Sequence, residues 1–283
     1  CGNGTTSIIA DKIFNKLNIE KKGIYNISDG NFPNHQPDPA VSENLNDLRQ
    51  EVVNYQADIG IAFDGDGDRV GFVDEKGRII PIEEYMIIMW RDICDRVSNR
   101  KCLFDVKCSK ALEDELLKLG VEPICYRTGN SYTRAKTAEL NIPLGGELSG
   151  HIYFRDRFKG YDDGIYNGIR LIELLSNTDK NLSSLSEGIN KYYNTQELKV
   201  EVTDNNKFKI IEKIEEYAKS MNYQILTIDG VKVKFPDCSS ALVRASNTTP
   251  CITLRFEAKT QERLQEIYNE FITKLNEIIK ELA

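Results

Sequence analysis

Apolar residues in the first eighty positions recur alternately at helical and at strand spacing. The helical spacing predicts helices at residues 5–17 and 42–55, and short apolar runs predict strands at 24–27 and 58–63. A stretch dense in proline and asparagine, residues 29–39, predicts a loop. Alternating strands and helices are typical of a parallel sheet covered by helices.

The same alternation continues to residue 192, after which strands are grouped together. Further helices are predicted at 82–97, 109–119, 130–139 and 162–175, and strands at 101–106, 121–126 and 152–154. Beyond residue 192, strands at 198–202, 223–228, 231–235, 239–244 and 251–258 lie between helices at 206–219 and 260–282. We therefore predict the α/β class, with two consecutive three-layer α/β domains that have mixed, mostly parallel sheets (1–77 and 78–192), then a smaller α+β domain with an antiparallel sheet (193–283).

Residues 64–69 read Asp-Gly-Asp-Gly-Asp-Arg and lie between two apolar runs. The glycines permit a tight curl that brings the carboxylates of Asp64, Asp66 and Asp68 together. Such carboxylates repel one another unless a cation lies between them, and hard oxygen ligands favour Mg²⁺ or Ca²⁺. Arg69 places a fixed positive charge beside this site, which suits a phosphate.

Two other interpretations of the acidic loop are an EF-hand and a hairpin turn. An EF-hand requires glycine at its sixth position, where this chain has Arg69, and it requires flanking helices where the flanks here favour strands. A solvated hairpin turn remains open, because Asp-Gly pairs are typical of such turns.

Composition excludes several classes of partner. The net charge is −7 and the basic residues are dispersed, which argues against nucleic acid. No apolar stretch approaches the ~18 residues of a membrane span. The seven cysteines lack zinc spacing, which favours reduced thiols and a cytoplasmic protein. Since the chain opens on a glycine-rich turn at Cys1, without a preceding strand, we expect it to be a fragment of a longer protein.

Three further segments carry candidate chemistry. The loop Arg244 to Pro250 (RASNTTP) offers a guanidinium, hydroxyls, an amide and backbone N–H groups, as a phosphate cradle or as an ordinary polar hairpin. In the segment Gly146 to His151 (GELSGH), a carboxylate and a hydroxyl stand two residues apart and suit adjacent sugar hydroxyls.

His151 suits acid–base work near neutral pH, although a loop histidine bonded to a carbonyl is equally open. Lys107 follows a buried strand at the edge where α/β sheets bind ligands, although a surface lysine is the common case. Asn130 begins a helix, where it is either near an anion or simply the N-cap.

Four stretches together resemble the α-D-phosphohexomutases, the phosphomannomutase/phosphoglucomutase family. They are residues 29–39 (DGNFPNHQPDP), 64–69 (DGDGDR), 146–151 (GELSGH) and 244–250 (RASNTTP). The resemblance covers nearly the whole chain and implies domains two, three and four of a four-domain enzyme.

The resemblance implies transfer of a phosphoryl group between O1 and O6 of a hexose, through a phosphoserine enzyme and a hexose 1,6-bisphosphate intermediate. It implies that Mg²⁺ is bound by Asp64, Asp66 and Asp68, with Arg69 near the phosphoryl group in flight. It further implies sugar contacts from Glu147 and Ser149, with phosphate contacts from Arg244, Ser246, Asn247 and Thr248. His151 and Lys107 match positions near the hydroxyl that gains or loses a proton.

This chain departs from the family pattern in two respects. The serine loop Thr-Ala-Ser-His-Asn-Pro is absent from the sequence, so we expect the chain to be inactive alone. Asn130 stands where dual-specificity members often have histidine, which puts substrate affinity there in doubt. The apolar Leu148 favours mannose or glucose phosphates over glucosamine phosphate.

The alternatives are a non-catalytic phosphosugar-binding module, a phosphoglucosamine mutase and a Ca²⁺-binding structural domain. A monomer is favoured slightly over an oligomer. The expected partner is a hexose phosphate, without nucleic acid or membrane.

Overall fold

The computed structural model describes residues 1–282, which divide into two compact units. The first unit comprises Cys1–Cys108, Leu112–Cys125 and Gly129–Ile189. The second comprises residues from Asn190 onward together with the short segments Ser109–Ala111 and Tyr126–Thr128. The three domains expected from the sequence stay a prediction.

The first unit begins with short helices and a small antiparallel sheet. Its helical elements are 3₁₀ turns at Thr5–Ile8 and Ser42–Leu45, with α1 (Ala10–Phe14) and α2 (Asn46–Tyr55). Strands β1 (Ile59–Phe63), β2 (Val70–Asp74) and β3 (Ile79–Ile80) pair antiparallel in that order. The acidic loop is thus the connection of a β-hairpin.

The predicted strand at 24–27 was wrong. Tyr25 has a φ of 54°, in the left-handed region, which interrupts an extended run, and Ile27 is 80% exposed. Consequently this run adds no parallel strand to the sheet of β1 to β3, which is antiparallel throughout the part of the chain that the structure describes.

The rest of the first unit is a mixed sheet with helices, although the first two residues of α4 and the last residue of β5 are assigned to the second unit. In chain order its elements are α3 (Ile82–Ile93), β4 (Lys101–Asp105), α4 (Lys110–Lys118), β5 (Glu122–Tyr126), α5 (Asn130–Glu139), β6 (Leu144–Gly146), β7 (Ile152–Phe154), α6 (Gly164–Ser176) and α7 (Leu182–Leu185). The strand order is β5-β4-β6-β7, with β4 and β6 parallel and β6 and β7 antiparallel.

Helix α3 lies in the middle of one continuous apolar core. Its residues Tyr85 and Trp90 are fully buried, and the ring of Tyr85 stacks on Phe72 of β2 with centroids 4.4 Å apart. This core contains residues from β2, α3, β4 and α6, so the small sheet and the mixed sheet are packed as one body.

The second unit is an α+β layer. Its elements are β8 (Tyr193–Asn194), β9 (Leu198–Glu201), α8 (Asp204–Ser220), β10 (Gln224–Leu226), β11 (Val231–Lys234), β12 (Ser240–Ala245), β13 (Cys251–Ala258) and α9 (Gln261–Glu281). The order is β10-β11-β12-β13, and both β8 and β9 pair with β13. All of these pairs are antiparallel. The α/β fold class with a final antiparallel layer is confirmed.

Helices α8 and α9 supply the apolar layer of the second unit. Ile214 of α8 and Phe271 of α9 are fully buried in a core that also contains Phe256 of β13. Within residues 1–282, no helix combines the length and the apolar character needed to cross a bilayer.

We predict that Phe271→Ala lowers the free energy of unfolding of the second unit by about 3–5 kcal/mol, because it removes a fully buried ring and leaves a cavity. Urea denaturation measures this change. The matched control is Phe208→Ala on α8, where the ring is 62% exposed and the expected change is within about 0.5 kcal/mol. Equal effects of the two substitutions would contradict this description of the core.

Candidate functional site

The acidic loop is held in its curl by the carboxylate of Asp64. Across the hairpin, Phe63 pairs with Val70. Oδ1 of Asp64 accepts hydrogen bonds from the backbone N–H groups of Gly67 at 3.0 Å and Arg69 at 3.1 Å. Gly67 adopts a φ of 85°, which a residue without a Cβ adopts at little cost. The side chain of Asp64 is therefore buried inside the turn that it organises.

Three carboxylates converge at this loop, as the spacing predicts. One oxygen from each of Asp64, Asp66 and Asp68 lies within 4.8 Å of the others, with Asp64 buried and Asp66 exposed. Burial raises the pKa of Asp68 to about 6; the ring of His151 opposes this rise, and the neighbouring carboxylates add to it. The donor set fits a hard divalent cation, whose charge offsets this crowding.

Arg69 is fixed between two carboxylates. Its Nε donates to Oδ2 of Asp64 at 2.8 Å, and its Nη1 donates to Oδ1 of Asp38 at 2.8 Å. Asp38 belongs to the proline-rich loop, so two of the sequence motifs meet at one guanidinium. The charge of Arg69 is thereby held beside the three carboxylates.

Three glycines from separate segments pack against the backbone of the acidic loop. A Cβ on Gly4 would lie 2.8 Å from the carbonyl oxygen of Gly65, and one on Gly164 would lie 2.8 Å from that of Arg69. At Gly150, which has a φ of 104°, a Cβ would lie 2.7 Å from the carbonyl oxygen of Val70. Side chains do not fit at these positions, so the glycines set how closely the segments approach the loop.

His151 lies next to the acidic loop through the backbone as well as through its ring. Arg69 and His151 form an antiparallel bridge. The ring Nδ1 lies 3.1 Å from Oδ2 of Asp162 and 3.6 Å from Oδ2 of Asp68. Burial alone lowers the pKa of His151, but the bond to Asp162 and the charge of Asp68 outweigh it, and the net pKa is raised.

Asn130 joins this cluster instead of capping its helix. Gly129 occupies the N-cap position of α5, so the N-cap interpretation of Asn130 was wrong by one residue. The side-chain amide of Asn130 donates to Oδ2 of Asp162 at 2.5 Å, and it lies 3.3 Å from Nδ1 of His151. The same amide reaches Oδ2 of Asp68 at 3.4 Å.

The side chain of Glu147 is hydrogen-bonded within the protein, whereas the hydroxyl of Ser149 has no hydrogen-bond partner among the described residues. The carboxylate of Glu147 is buried, and its Oε1 accepts from the backbone N–H of Gly129 at 3.1 Å and from the hydroxyl of Thr133. Burial, with the nearby charge of Asp105, raises the pKa of Glu147. The hydroxyl oxygen of Ser149 is buried without a hydrogen-bond partner among residues 1–282.

Lys107 and the segment 146–151 both contact the carboxylate of Asp105. Nζ of Lys107 lies 3.8 Å from Oδ2 of Asp105, which is fully buried at the end of β4. Oδ1 of Asp105 accepts from the backbone N–H of Leu148 at 3.3 Å. The lysine and the loop are therefore positioned by the same side chain.

The candidate phosphate loop of the second unit joins β12 to β13. Arg244 is buried, whereas Asn247 and Thr248 are exposed. Oγ of Ser246 accepts from the backbone N–H of Thr248 at 3.4 Å and of Thr249 at 3.2 Å. These contacts fit both the polar hairpin and the phosphate cradle, because Ser246 caps the turn and the tip of the turn is exposed.

A buried lysine supports this loop from behind. Nζ of Lys207, on α8, donates to the backbone oxygen of Ser246 at 3.1 Å and lies 2.8 Å from Oδ1 of Asp204. An ammonium group is costly to bury unless it is paired, so these contacts fix its place against the loop.

A cavity of about 600 Å³ in the first unit is separate from these candidates. Its lining combines apolar side chains, among them Phe14 and Val52, with charged ones, among them Lys21 and Glu51, and none of the candidate residues is part of it. The polar cluster is the stronger candidate site, because three carboxylates converge there and a histidine and an arginine lie beside them.

Family models and relatives agree on one family. The phosphoglucomutase/phosphomannomutase models for alpha/beta/alpha domain II, alpha/beta/alpha domain III and the C-terminal domain match residues 1–77, 82–192 and 197–274. These three matches together span most of the chain. The chain belongs to the phosphoglucomutase/phosphomannomutase family.

Similar proteins include two bacterial enzymes and one solved structure. The chain is 41% identical to a phosphomannomutase/phosphoglucomutase of Pseudomonas syringae over all of its own length and 60% of the relative's. It is 39% identical to a phosphoglucomutase of Neisseria gonorrhoeae over 95% of this chain and 59% of that one. A crystal structure of a family protein from Burkholderia thailandensis matches with a TM-score of 0.89 and 39% identity, covering 98% of this chain and 59% of that one. The chain thus spans about 60% of the length of the curated relatives it matches.

Several contacting residues were not found by sequence reasoning. Asp38 lies inside the proline-rich loop of residues 29–39, but its bond to Arg69 joins segments distant in the sequence. Asp162 and Asp229 each carry a hydrogen bond to a candidate side chain without standing in any candidate motif. A lone aspartate gives no sequence signal of its partner, so only the fold identifies them.

We predict that Gly164→Ala lowers the free energy of unfolding by about 1–3 kcal/mol and weakens cation binding, because the new methyl would collide with the backbone of the acidic loop. Denaturation and calorimetric titration with Mg²⁺ measure the two effects. The control is Gly30→Ala, where a Cβ has nothing within 4 Å. If the two variants behave alike, close glycine packing does not shape the loop.

Proposed function

We propose that this chain provides the metal, sugar and phosphate sites of a Mg²⁺-dependent phosphohexomutase. The proposed reaction interconverts hexose 1-phosphate and hexose 6-phosphate, with mannose or glucose as the hexose, through a phosphoserine enzyme and a hexose 1,6-bisphosphate. The observation that carries this proposal is the meeting of the acidic loop with His151 at the Arg69 bridge, because it joins a cation site to an acid–base group.

The metal site is proposed at Asp64, Asp66 and Asp68. When bound there, Mg²⁺ offsets negative charge that builds on a phosphoryl group during transfer. Arg69 is proposed to stand beside that group, since its Nε and Nη1 are already held by Asp64 and Asp38 and its position is fixed before any ligand arrives.

The sugar site is proposed at Glu147 and Ser149. The unpartnered buried hydroxyl of Ser149 supports this assignment, because buried polar groups are ordinarily hydrogen-bonded and a sugar hydroxyl would satisfy it. The carboxylate of Glu147 is held on one oxygen by Gly129 and Thr133, which orients the carboxylate for a second acceptor contact.

The phosphate that does not react is proposed to bind Arg244, Ser246, Asn247 and Thr248 in the second unit. Buried guanidinium and exposed loop groups support this assignment, because a guanidinium fork matches phosphate oxygens and exposed amides add further donors.

His151 and Lys107 are proposed to handle the proton of the hydroxyl that attacks or leaves. Among residues 1–282, the hydrogen bonds of the His151 ring involve Nδ1, held by Asp162, so Nε2 is the nitrogen assigned to the substrate. Asn130 is proposed to bind the substrate, because its side-chain amide lies beside the His151 ring. An amide can donate to a phosphate oxygen but carries no charge.

We predict that Asp66→Asn weakens Mg²⁺ binding about tenfold or more, since it removes one anionic ligand from an exposed position and leaves the hydrogen bonds of Asp64 in place. Isothermal calorimetry measures the affinity. The control is Asp58→Asn, an exposed aspartate with the same change in charge. An unchanged Mg²⁺ affinity in Asp66→Asn would remove Asp66 from the site, and preference for Ca²⁺ far above Mg²⁺ would favour a structural calcium domain.

We predict that the chain binds glucose 1-phosphate and mannose 1-phosphate more tightly than glucosamine 1-phosphate, and that Glu147→Gln and Arg244→Ala each weaken binding about tenfold or more. Calorimetry with Mg²⁺ present measures these affinities. Arg263→Ala, which changes a more exposed arginine of the second unit, is the control. Tightest binding of the glucosamine ester would point to a phosphoglucosamine mutase, and no binding of any ester would contradict the assigned sugar and phosphate roles.

A further inference from the structure

We propose that Asp229 is the positioning residue for Arg244, and that the Asp229-Gly230 turn is built to orient this guanidinium toward phosphate. The inference rests on the proposed phosphate role of Arg244 and adds a residue that acts through it. Both residues belong to the second unit, Asp229 two positions before the start of β11 and Arg244 within β12.

Asp229 contacts the guanidinium of Arg244 through its Nε edge. Nε of Arg244 donates to Oδ2 of Asp229 at 3.0 Å, and the side chains are only 6% and 10% exposed. Nη1 of Arg244 lies 3.4 Å from the hydroxyl of Thr253 on β13. Within residues 1–282, no protein acceptor is bonded to Nη2.

This arrangement leaves the Nη donors of the Arg244 guanidinium for an anion. An arginine presents five N–H donors in one plane, and phosphate is recognised by a pair of them. With Nε held by a carboxylate, the rotation of the plane is fixed, and the remaining Nη donors keep one direction. A lysine could not satisfy both partners in this way, because its ammonium is a point charge on a flexible stem.

The turn itself is shaped to lie against Arg244. Gly230 has a φ of 76°, and a Cβ there would lie 2.4 Å from the carbonyl oxygen of Val243 and 2.6 Å from Cα of Arg244. Only glycine fits this approach without displacing the backbone. The glycine therefore sets the distance at which Asp229 meets the guanidinium.

The carboxylate of Asp229 would repel a phosphate bound nearby, because both are negatively charged, so another effect must outweigh this repulsion. The buried pair supplies one, since Asp229 offsets the cost of burying the guanidinium and leaves a group already oriented when phosphate arrives. The expected signature of such a role is a loss of affinity that persists at temperatures where the variant is fully folded.

The test is calorimetric titration of the full chain with glucose 1-phosphate and Mg²⁺, comparing wild type with Asp229→Asn. The substitution keeps the size of the side chain and removes its charge. We expect about tenfold weaker binding at a temperature where both proteins are fully folded. We also expect a lower thermal midpoint, because the buried guanidinium loses its charged partner.

The chain offers a matched control in the same unit. Oδ2 of Asp237 accepts from Nε of Arg263 at 2.9 Å, the same atom pairing as in the proposed site but between side chains that are 47% and 33% exposed. Asp237→Asn should leave the affinity for glucose 1-phosphate unchanged. An equal loss in both variants would overturn the positioning role of Asp229.

A second measurement does not depend on the stability of the variant. In the wild-type chain, the Nε–Hε resonance of Arg244, assigned by its absence in Arg244→Lys, should be observable and shifted downfield because the proton is held by a carboxylate. A signal with the position and exchange of a solvent-exposed arginine would overturn the inference.

The outcomes separate this inference from the proposed function. If Arg244→Ala weakens binding and Asp229→Asn does not, the phosphate role stands and the positioning role is wrong. If Arg244→Ala has no effect on a ligand that does bind, or if the wild type binds no ester, the phosphate role fails and takes the inference with it.

Discussion

The close approach of backbone to the acidic loop is the constraint on which the first unit depends. Gly4, Gly150 and Gly164 come from three distant segments, and each lies where a methyl group would collide with a loop carbonyl or its neighbour. Because these contacts are backbone to backbone, they fix the loop without using any side chain that chemistry needs. In the GELSGH motif, Gly150 packs against the acidic loop. The same motif carries the candidate sugar-binding residues Glu147 and Ser149 and the candidate acid–base residue His151.

Asp64 illustrates how one side chain links folding to the proposed chemistry. Its two oxygens already accept hydrogen bonds from the loop backbone and from Arg69. The carboxylate that closes the turn is also one of the three that converge at the proposed cation site. The hydrogen bonds from the loop backbone and from Arg69 offset the cost of burying the charge of Asp64. The same bonds hold this carboxylate in the position proposed for a metal ligand.

Sequence periodicity predicted those elements in which apolar and polar positions recur regularly along the run. The strand at 251–258 and the helix at 130–139 match the structure residue for residue. The run at 24–27 failed, because apolar spacing carries no information about the left-handed backbone at Tyr25. The acidic cluster was foreseen since its members are adjacent in sequence. Asp162 and Asp229 were not, because their partners are brought near only by tertiary packing.

The three carboxylates of the loop differ in their access to water, from buried Asp64 through Asp68 to exposed Asp66. If these carboxylates bind the proposed cation, they would contribute unequally, because Asp64 is fixed by the bonds that close the turn whereas Asp66 is open to water. The hairpin would keep its shape with or without the ion, since the bonds from Asp64 to Gly67 and Arg69 are made within the protein. Such a loop is assembled by folding, and a cation would enter a site whose backbone is already in place.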